Sequence, residues 1–188
     1  MLKSAWSSDH AGPAIRLLEQ RVELLGMPTM ERFRDQGDNL CEIADILVAL
    51  GRTQEAATTY TRARDVGAAH GFFSVESDAC LGLGDLAMKE GRLEEGVDLL
   101  RNALAAAPLS EEDESTYEMN ALRKLIDALF QTNAVDELEP LVPRFQEVAQ
   151  TVSRNSGRLC SAELRIFYIR ARLHEVPCTF TLPDPFGP

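Results

Sequence analysis

The sequence predicts an all-α fold in which antiparallel helix pairs stack side by side as an α-solenoid. Residues 39–108 contain one motif written twice, since the pattern around Gly51-Arg52 recurs 40 positions later around Gly91-Arg92. Each copy has an apolar run at spacings of three and four residues, the Gly-Arg break, and a second such run. This is the pattern of two helices joined by a tight turn. A single pair cannot bury its apolar face, whereas stacked pairs can.

The first predicted helix runs from about Pro13 to Leu25, with Pro13 in its first turn and Gly26 closing it. The position 40 residues before Gly51 is Ala11, which is next to Gly12. We therefore interpret residues 1–26 as an incomplete leading repeat that supplies only a second helix.

Three repeats follow, at about residues 29–68, 72–108 and 114–153. In the first repeat, the first helix is predicted from Met30 to about Leu50, with Gly37 as a candidate kink. The second helix is predicted to end near Val66, or beyond it at Gly67 or Gly71. In the second repeat, the helices are predicted to run from Phe72 or Phe73 to beyond Ala87 and from Leu93 to Ala107, where Pro108 stops the chain.

The third repeat departs from the first two. Its turn carries Asn133 where the others have glycine, and asparagine also tolerates left-handed geometry. Pro140 and Pro143 interrupt its second helix, so we expect that helix to begin near one of these prolines and end at about residue 152. Phe145 replaces the small residue found at this position in the other copies, so this pair must pack differently.

The end of the chain is predicted to close the array. Residues 158–175 carry an apolar stripe and are interpreted as a capping helix, which completes a repeat domain spanning residues 1–175. Residues 176–188 are rich in proline and are predicted to form an extended tail.

The repeated residues resemble the tetratricopeptide repeat (TPR) family. That family has a large apolar residue, a Leu-like residue with a small one after it, a bulky residue, a turn glycine, a small residue, a bulky residue, alanine and a final proline. The matching positions are Leu40, Ile43, Ala44, Leu47, Gly51, Ala56, Tyr60 and Ala63, then Cys80, Leu83, Gly84, Ala87, Gly91, Gly96, Leu100, Ala103 and Pro108. Family repeats have about 34 residues, whereas the motif here recurs after 40 residues. In this respect the chain is similar to the long-repeat variant found in kinesin light chains and cell-polarity adaptors. The resemblance implies a right-handed solenoid that binds other proteins.

Composition limits the remaining classes of function. The 188-residue chain is 45% hydrophobic and 26% charged, with a formal net charge of −11 and a pI near 4.7. No cluster of Lys and Arg suits a nucleic-acid surface, and no apolar run is long enough to insert in a membrane. The four cysteines form no C-x-x-C pair, which favours the cytoplasm or another reducing compartment. An organelle interior, after removal of a targeting segment, stays open.

No catalytic or metal-binding constellation is evident. His10, His70 and His174 lie in different predicted elements and share no ligand spacing with Cys or acidic residues. Gly82-Leu83-Gly84 falls inside a predicted helix, so it is not a phosphate-binding loop. We therefore predict no enzyme activity, no metal and no cofactor. An enzyme stays the third alternative, and it would need a bound metal or cofactor.

The resemblance also assigns a candidate site. In TPR proteins the first helix of each pair lines a concave groove, and the corresponding partner-binding residues here are Asp38, Cys41, Asp45, Val48, Asp78, Leu81, Asp85, Met88, Asn120, Arg123, Asp127 and Phe130. Asp45, Asp85 and Asp127 share one repeat position and are predicted to form an acidic ladder along the groove. The alternative is that each carboxylate faces water or pairs locally, for instance with Arg52, Arg92 or Lys124.

Two hypotheses about function follow for a non-enzymatic protein. The first is a scaffold or adaptor whose concave groove binds a basic or amphipathic segment of a partner protein. The second is an accessory subunit of a large complex, organellar or otherwise, that uses its convex face, end helix and tail.

Overall fold

The computed structural model describes residues 8–24, 30–107, 114–138, 140, 141, 143–145, 147 and 148. Within these ranges the chain forms six α-helices and a short 3-10 helix, with no strand. The helices are α1 (Ser8–Leu24), α2 (Met30–Ala49), α3 (Thr53–His70), α4 (Phe73–Lys89), α5 (Leu93–Ala106) and α6 (Glu114–Gln131), and the 3-10 helix is Val135–Glu137. The all-α prediction is confirmed for this part of the chain. The predicted capping helix and proline-rich tail lie outside the described residues.

The helices pack in the order of the sequence, and the first helices of successive pairs also touch. Each helix from α1 to α6 contacts the next one along the chain. In addition, α2 contacts α4 and α4 contacts α6, whereas the described residues of α3 and α5 share at most a marginal contact. The structure is therefore a solenoid with an inner layer, α2, α4 and α6, and an outer layer, α3 and α5.

One turn geometry is repeated between the paired helices. Gly51, Gly91 and Asn133 have positive φ angles of 75°, 79° and 57°. The amide after each donates to the carbonyl five residues back: Arg52 to Leu47 at 2.9 Å, Arg92 to Ala87 at 2.9 Å, and Ala134 to Leu129 at 3.0 Å. This is the Schellman motif, which satisfies orphan carbonyls at a helix end. Equivalent residues of the inner helices are thus set in the same register.

One helix end differs from expectation, and another is decided among the alternatives that the sequence left open. Helix α1 begins at Ser8, so Pro13 lies inside the helix instead of in its first turn. Pro13 is the sixth residue of α1 and has no amide, so the helix lacks the hydrogen bond to the carbonyl four residues back. Helix α3 continues past Val66 to His70 and ends at Gly71, whose φ is 72°.

The core is continuous through α4. Residues of α4 belong to all three clusters of buried apolar side chains: Leu83 and Leu86 face α1–α3, Val75 and Ala79 face α2 and α3, and Cys80 and Leu81 face α5 and α6. Each fully buried Leu or Val contributes roughly 1.5–3 kcal/mol. Since no pair buries these faces alone, stability arises from the stacking.

Small residues let the helices approach closely. A Cβ atom at Gly37 would lie 2.5 Å from a methyl group of Val75 on α4. Gly37 is therefore a point of contact between two inner helices, where the sequence had suggested a kink. Likewise, a Cβ at Gly82 would lie 2.3 Å from the ring of Tyr60. These glycines inside the helices thus lie where a neighbouring helix packs closely.

The third pair packs through large side chains. Phe145 is buried, with 1% of its surface exposed, and belongs to the cluster around α6. Arg144 forms a two-pronged ion pair with Glu118 of α6, a carboxylate that is itself buried. Helical residues begin at Leu141, after the 3-10 helix, and the end of this segment lies outside the described residues.

One buried polar group lacks a partner among the described residues. The Nδ2 group of Asn39 donates to no acceptor among the described residues, and only 3% of Asn39 is exposed. At the same repeat position the later inner helices have Ala79 and Ala121, both fully buried. A buried donor without a partner costs about 1–3 kcal/mol.

We therefore expect Asn39→Ala to raise the free energy of unfolding by about 1 kcal/mol, measured by urea denaturation. The matched control is Asn102→Ala, at an exposed position of α5. A loss of stability in Asn39→Ala that exceeds the change in the control would contradict this interpretation.

Candidate functional site: an inner groove of mixed charge

The inner helices form a groove with two adjoining cavities. The first, of about 330 Å³, is lined by Cys41, Asp45, Val48, Tyr60, Asp78, Leu81, Gly82, Asp85, Leu86, Lys89, Asn120, Arg123 and Lys124. The second, of about 270 Å³, is lined by Asp85, Met88, Lys89, Leu100, Arg123, Lys124, Asp127, Ala128 and Gln131. Because Asp85, Lys89, Arg123 and Lys124 line both cavities, the two are parts of one groove.

The structure brings most of the predicted site residues to this groove. Ten of the twelve line one cavity or both. Asp38 is exposed on α2, one turn before Cys41 and two turns before Asp45, but lines neither cavity. Phe130 packs against the buried cluster around α6 and also lies outside both linings.

Three carboxylates surround the thiol of Cys41. Burial raises the pKa of this thiol well above its usual range, and the negative charges of Asp78, Asp38 and Asp45, in that order, raise it further. Asp45 and Asp78 line the same cavity as Cys41, and Asp38 lies one turn before Cys41 on α2. The α2 side of the groove is therefore an acidic surface with a protonated, unreactive thiol within it.

Tyr60 links the outer layer to the floor of the groove. Its hydroxyl donates a hydrogen bond to Oδ1 of Asp45 at 2.6 Å, and its ring rests on Gly82 of α4. Burial, followed by the bond to Asp45, raises the pKa of the phenol well above its usual range. The Asp45 carboxylate is thus held in position by a neutral donor.

Asp85 is neutralised by a cation from the next repeat. The ammonium of Lys124 on α6 pairs with Oδ2 of Asp85 on α4, and both side chains are partly exposed. Of the three local partners considered from the sequence, Lys124 is therefore engaged with the ladder. Arg52 instead pairs with Glu55, and Arg92 pairs with Glu90 and Glu95.

Sequence reasoning missed several groove residues. Lys89 and Lys124 lie one position beyond Met88 and Arg123, on the same helix faces, and bring positive charge into the groove. Their spacing from the predicted residues was the available signal. Tyr60 was assigned to the core as a repeat residue, and nothing in the repeat pattern indicated that its hydroxyl would reach Asp45.

The stability of the fold is expected to fall as pH rises from about 8 to about 10.5. Burial raises the pKa of the Cys80 thiol to about 11, and that of Cys41 is also raised. The unfolded chain loses these protons near pH 8.5. Since the folded state then binds more protons, alkali favours unfolding, by about 2 kcal/mol per thiol over this range.

Urea denaturation at the two pH values measures this loss. The variant Cys41→Ala/Cys80→Ala should have a smaller difference between its two unfolding free energies than the parent protein. An equal difference in both proteins would show that these thiols do not set the alkaline response.

Within the described residues, no group of three or more His, Cys, Asp or Glu side chains converges as metal ligands. His70, at the end of α3, stacks on Phe33 with ring centroids 3.9 Å apart. None of the described helices combines the length and apolarity needed to span a membrane.

The architecture defines the class of protein: an α-solenoid of helical hairpins whose first helices line a groove. Residues 41–111 match the family model described as tetratricopeptide repeat. The chain is thus a TPR-like solenoid, and the resemblance drawn from its repeated residues is confirmed. A fold of this kind supports a protein-interaction scaffold, and such repeats are generally non-catalytic.

Solved structures agree on the fold. One is a crystal structure of a protein described as a kinesin light chain of Podosopora anserina with nearly identical TPR-like repeats. It superposes on this chain with a TM-score of 0.59 at 18% sequence identity. The match covers 88% of this chain and 81% of that one. A single-substitution variant of those repeats gives 0.60 at 19% identity, over 88% and 80% of the two chains. Comparison with curated proteins gave no match.

Proposed function

We propose that the chain is a non-catalytic scaffold whose inner groove binds a segment of a partner protein that carries Lys or Arg. The observation that carries the proposal is the groove itself, where three inner helices in register line two adjoining cavities. A segment laid across α2, α4 and α6 would contact all three repeats at once. This is how a shallow surface gathers enough contacts for affinity.

Charge and apolar surface define the proposed ligand. Asp45 and Asp78 line the first cavity, Asp38 lies one turn before Cys41 on α2, and these carboxylates suit a cationic side chain. Val48 and Leu81 line the same cavity and provide apolar contact beside it. Exposed charge pairs contribute about 0.2–1 kcal/mol each, so the basic residue would serve mainly for selectivity and rate of association.

The test begins with a random peptide library displayed on phage and selected on the folded protein. We expect Asp38→Asn/Asp45→Asn/Asp78→Asn to weaken binding of the selected peptides about tenfold, and to flatten the dependence of affinity on salt. Asparagine at position 45 still accepts the bond from Tyr60, so the fold is kept.

The matched control changes the same number of charges on the outer helices, as Asp65→Asn/Glu94→Gln/Asp98→Asn. These side chains are exposed on α3 and α5, and the control should bind the peptides as the parent does. Equal affinity of both triple variants for every selected peptide would overturn the proposal.

The second hypothesis, an accessory subunit that uses its convex face, has an observation of its own. A separate cavity of about 410 Å³ is bounded by α1, α2 and α3 and is lined by Ile15, Glu19, Leu40, Ile43, Leu47, Arg52, Glu55, Thr59 and Arg62. It contains none of the predicted groove residues. Selected peptides that lose affinity on Arg62→Glu, and not on the triple Asn variant, would favour this hypothesis.

A further inference from the structure

The charge of the groove changes along the array. Five repeat positions recur on the three inner helices. Given in the order α2, α4 and α6, the equivalent residues are 38, 78 and 120; 41, 81 and 123; 42, 82 and 124; 45, 85 and 127; and 48, 88 and 130. At these positions α2 has three carboxylates and no cation, namely Asp38, Glu42 and Asp45. Helix α4 has two carboxylates, Asp78 and Asp85. Helix α6 has two cations, Arg123 and Lys124, and one carboxylate, Asp127.

Contacts within the groove sharpen this change. On the α2 side, Asp45 and Asp78 line the first cavity together with Cys41, and Asp38 is exposed one turn before Cys41 on α2. On the α6 side, Lys124 reaches back to α4 and pairs with Asp85. This pair cancels one of the two α4 carboxylates and one of the two α6 cations. Lys89 of α4 lines the groove beside it, so the second cavity is lined by three cations and two carboxylates and keeps a net positive charge. The sequence had suggested an acidic ladder over its whole length.

We propose that the groove selects a partner segment whose charge reverses along its length, basic where it lies over α2 and acidic where it lies over α6. The inference rests on the proposed function and specifies its ligand. A uniformly basic segment would place a cation against Arg123 and Lys124, and like charges at an interface act against binding. Lys124 also competes with any ligand cation for Asp85.

The geometry sets the spacing of the two charges. Packed helices lie about 8–10 Å apart, so α2 and α6, with α4 between them, are roughly 20 Å apart. An extended segment advances about 3.3 Å per residue. We therefore expect the basic and acidic residues of an extended ligand to be separated by about six residues.

The test compares the peptides that one phage library yields on two proteins. The variant Arg123→Gln/Lys124→Gln leaves Lys89 as the one cation among the residues that line the two cavities. Its matched control, Arg64→Gln/Arg101→Gln, removes two cations from the outer helices, where they form exposed ion pairs. Circular dichroism and thermal melting establish that each variant is folded. Arg123→Gln alone, which leaves the pair of Lys124 with Asp85, provides a second variant.

On the parent and the control, the selected peptides should carry a basic and an acidic group about six residues apart. On Arg123→Gln/Lys124→Gln, the acidic group should no longer be enriched, and peptides from the parent selection should bind about fivefold to tenfold more weakly. Uniformly basic peptides on the parent, or the same charge pattern on both proteins, would overturn the inference.

The two proposals fail in distinguishable ways. Peptides that are weakened by the triple Asn variant, and unaffected by the double Gln variant, leave the groove as the binding site and overturn only the charge reversal. Peptides unaffected by either variant overturn the proposed function together with this inference.

Discussion

Gly67→Val is expected to lower the free energy of unfolding by about 3 kcal/mol, because it inserts a branched side chain where α4 meets α3. A Cβ atom at position 67 would lie 2.8 Å from the backbone nitrogen of Glu76 and 3.1 Å from the carbonyl oxygen of Phe72. Backbone atoms cannot rotate away as a side chain can, so the two helices must separate. Overpacking of this kind costs typically 1–3 kcal/mol or more.

The same connection explains why the contact cannot relax. Helix α3 ends at Gly71, and α4 begins two residues later at Phe73. The amides of Gly71 and Phe72 both donate to the carbonyl of Gly67. With so short a link, the first turn of α4 is fixed against Gly67.

Urea denaturation measures the effect, and Ala68→Val is the matched control because Ala68 is exposed on the same helix. The control should lose only about 0.5 kcal/mol, from the lower helix propensity of valine. If Gly67→Val were no less stable than Ala68→Val, the close approach of α3 and α4 would be wrong.

Phe145→Ala is expected to cost about 3–4 kcal/mol, because it removes a large buried ring from the third pair. Only 1% of Phe145 is exposed, and it lies in one cluster with Leu122, Leu129 and Leu138. Truncation of a buried phenylalanine costs about 3–5 kcal/mol. Phe145→Leu, which keeps most of the volume, should cost about 1 kcal/mol.

The loss should be local, because each repeat of a solenoid contacts only its neighbours. Amide hydrogen exchange should show greater loss of protection in α6 than in α2. Leu17→Ala, at a side chain that is 66% exposed, is the control and should have little effect. Equal loss of protection in both helices would contradict a repeat-by-repeat organisation.

The fold could be predicted from the sequence because the turns have a chemical signature. A positive φ angle favours glycine and is tolerated by asparagine. The sequence itself therefore indicates the three turns at Gly51, Gly91 and Asn133, whose φ angles are positive in the structure. Where two glycines were candidates, as at Gly67 and Gly71, composition could not decide. The structure assigns positive φ to Gly71 and a helix contact to Gly67.

The features that could not be predicted from the sequence depend on contacts between residues that are distant along the chain. The sequence makes Gly37 a candidate kink. A glycine inside a helix can either bend the helix or allow a second helix to approach closely, and the sequence pattern is the same in both cases. Only the position of Val75 distinguishes the two. Similarly, the acidic ladder was predicted from residues that the repeats share, namely Asp45, Asp85 and Asp127. The residues in which they differ, Glu42, Gly82 and Lys124, set the charge of the groove.

Photo-crosslinking tests the central claim, that the inner groove is the binding surface, most directly. A selected peptide carrying a benzophenone group is bound, irradiated and mapped by mass spectrometry. The account predicts crosslinks to groove residues of α2, α4 and α6, such as Val48, Leu81 and Met88, and their loss when unlabelled peptide competes. Crosslinks that compete in the same way but map to the outer helices α3 and α5 would contradict it.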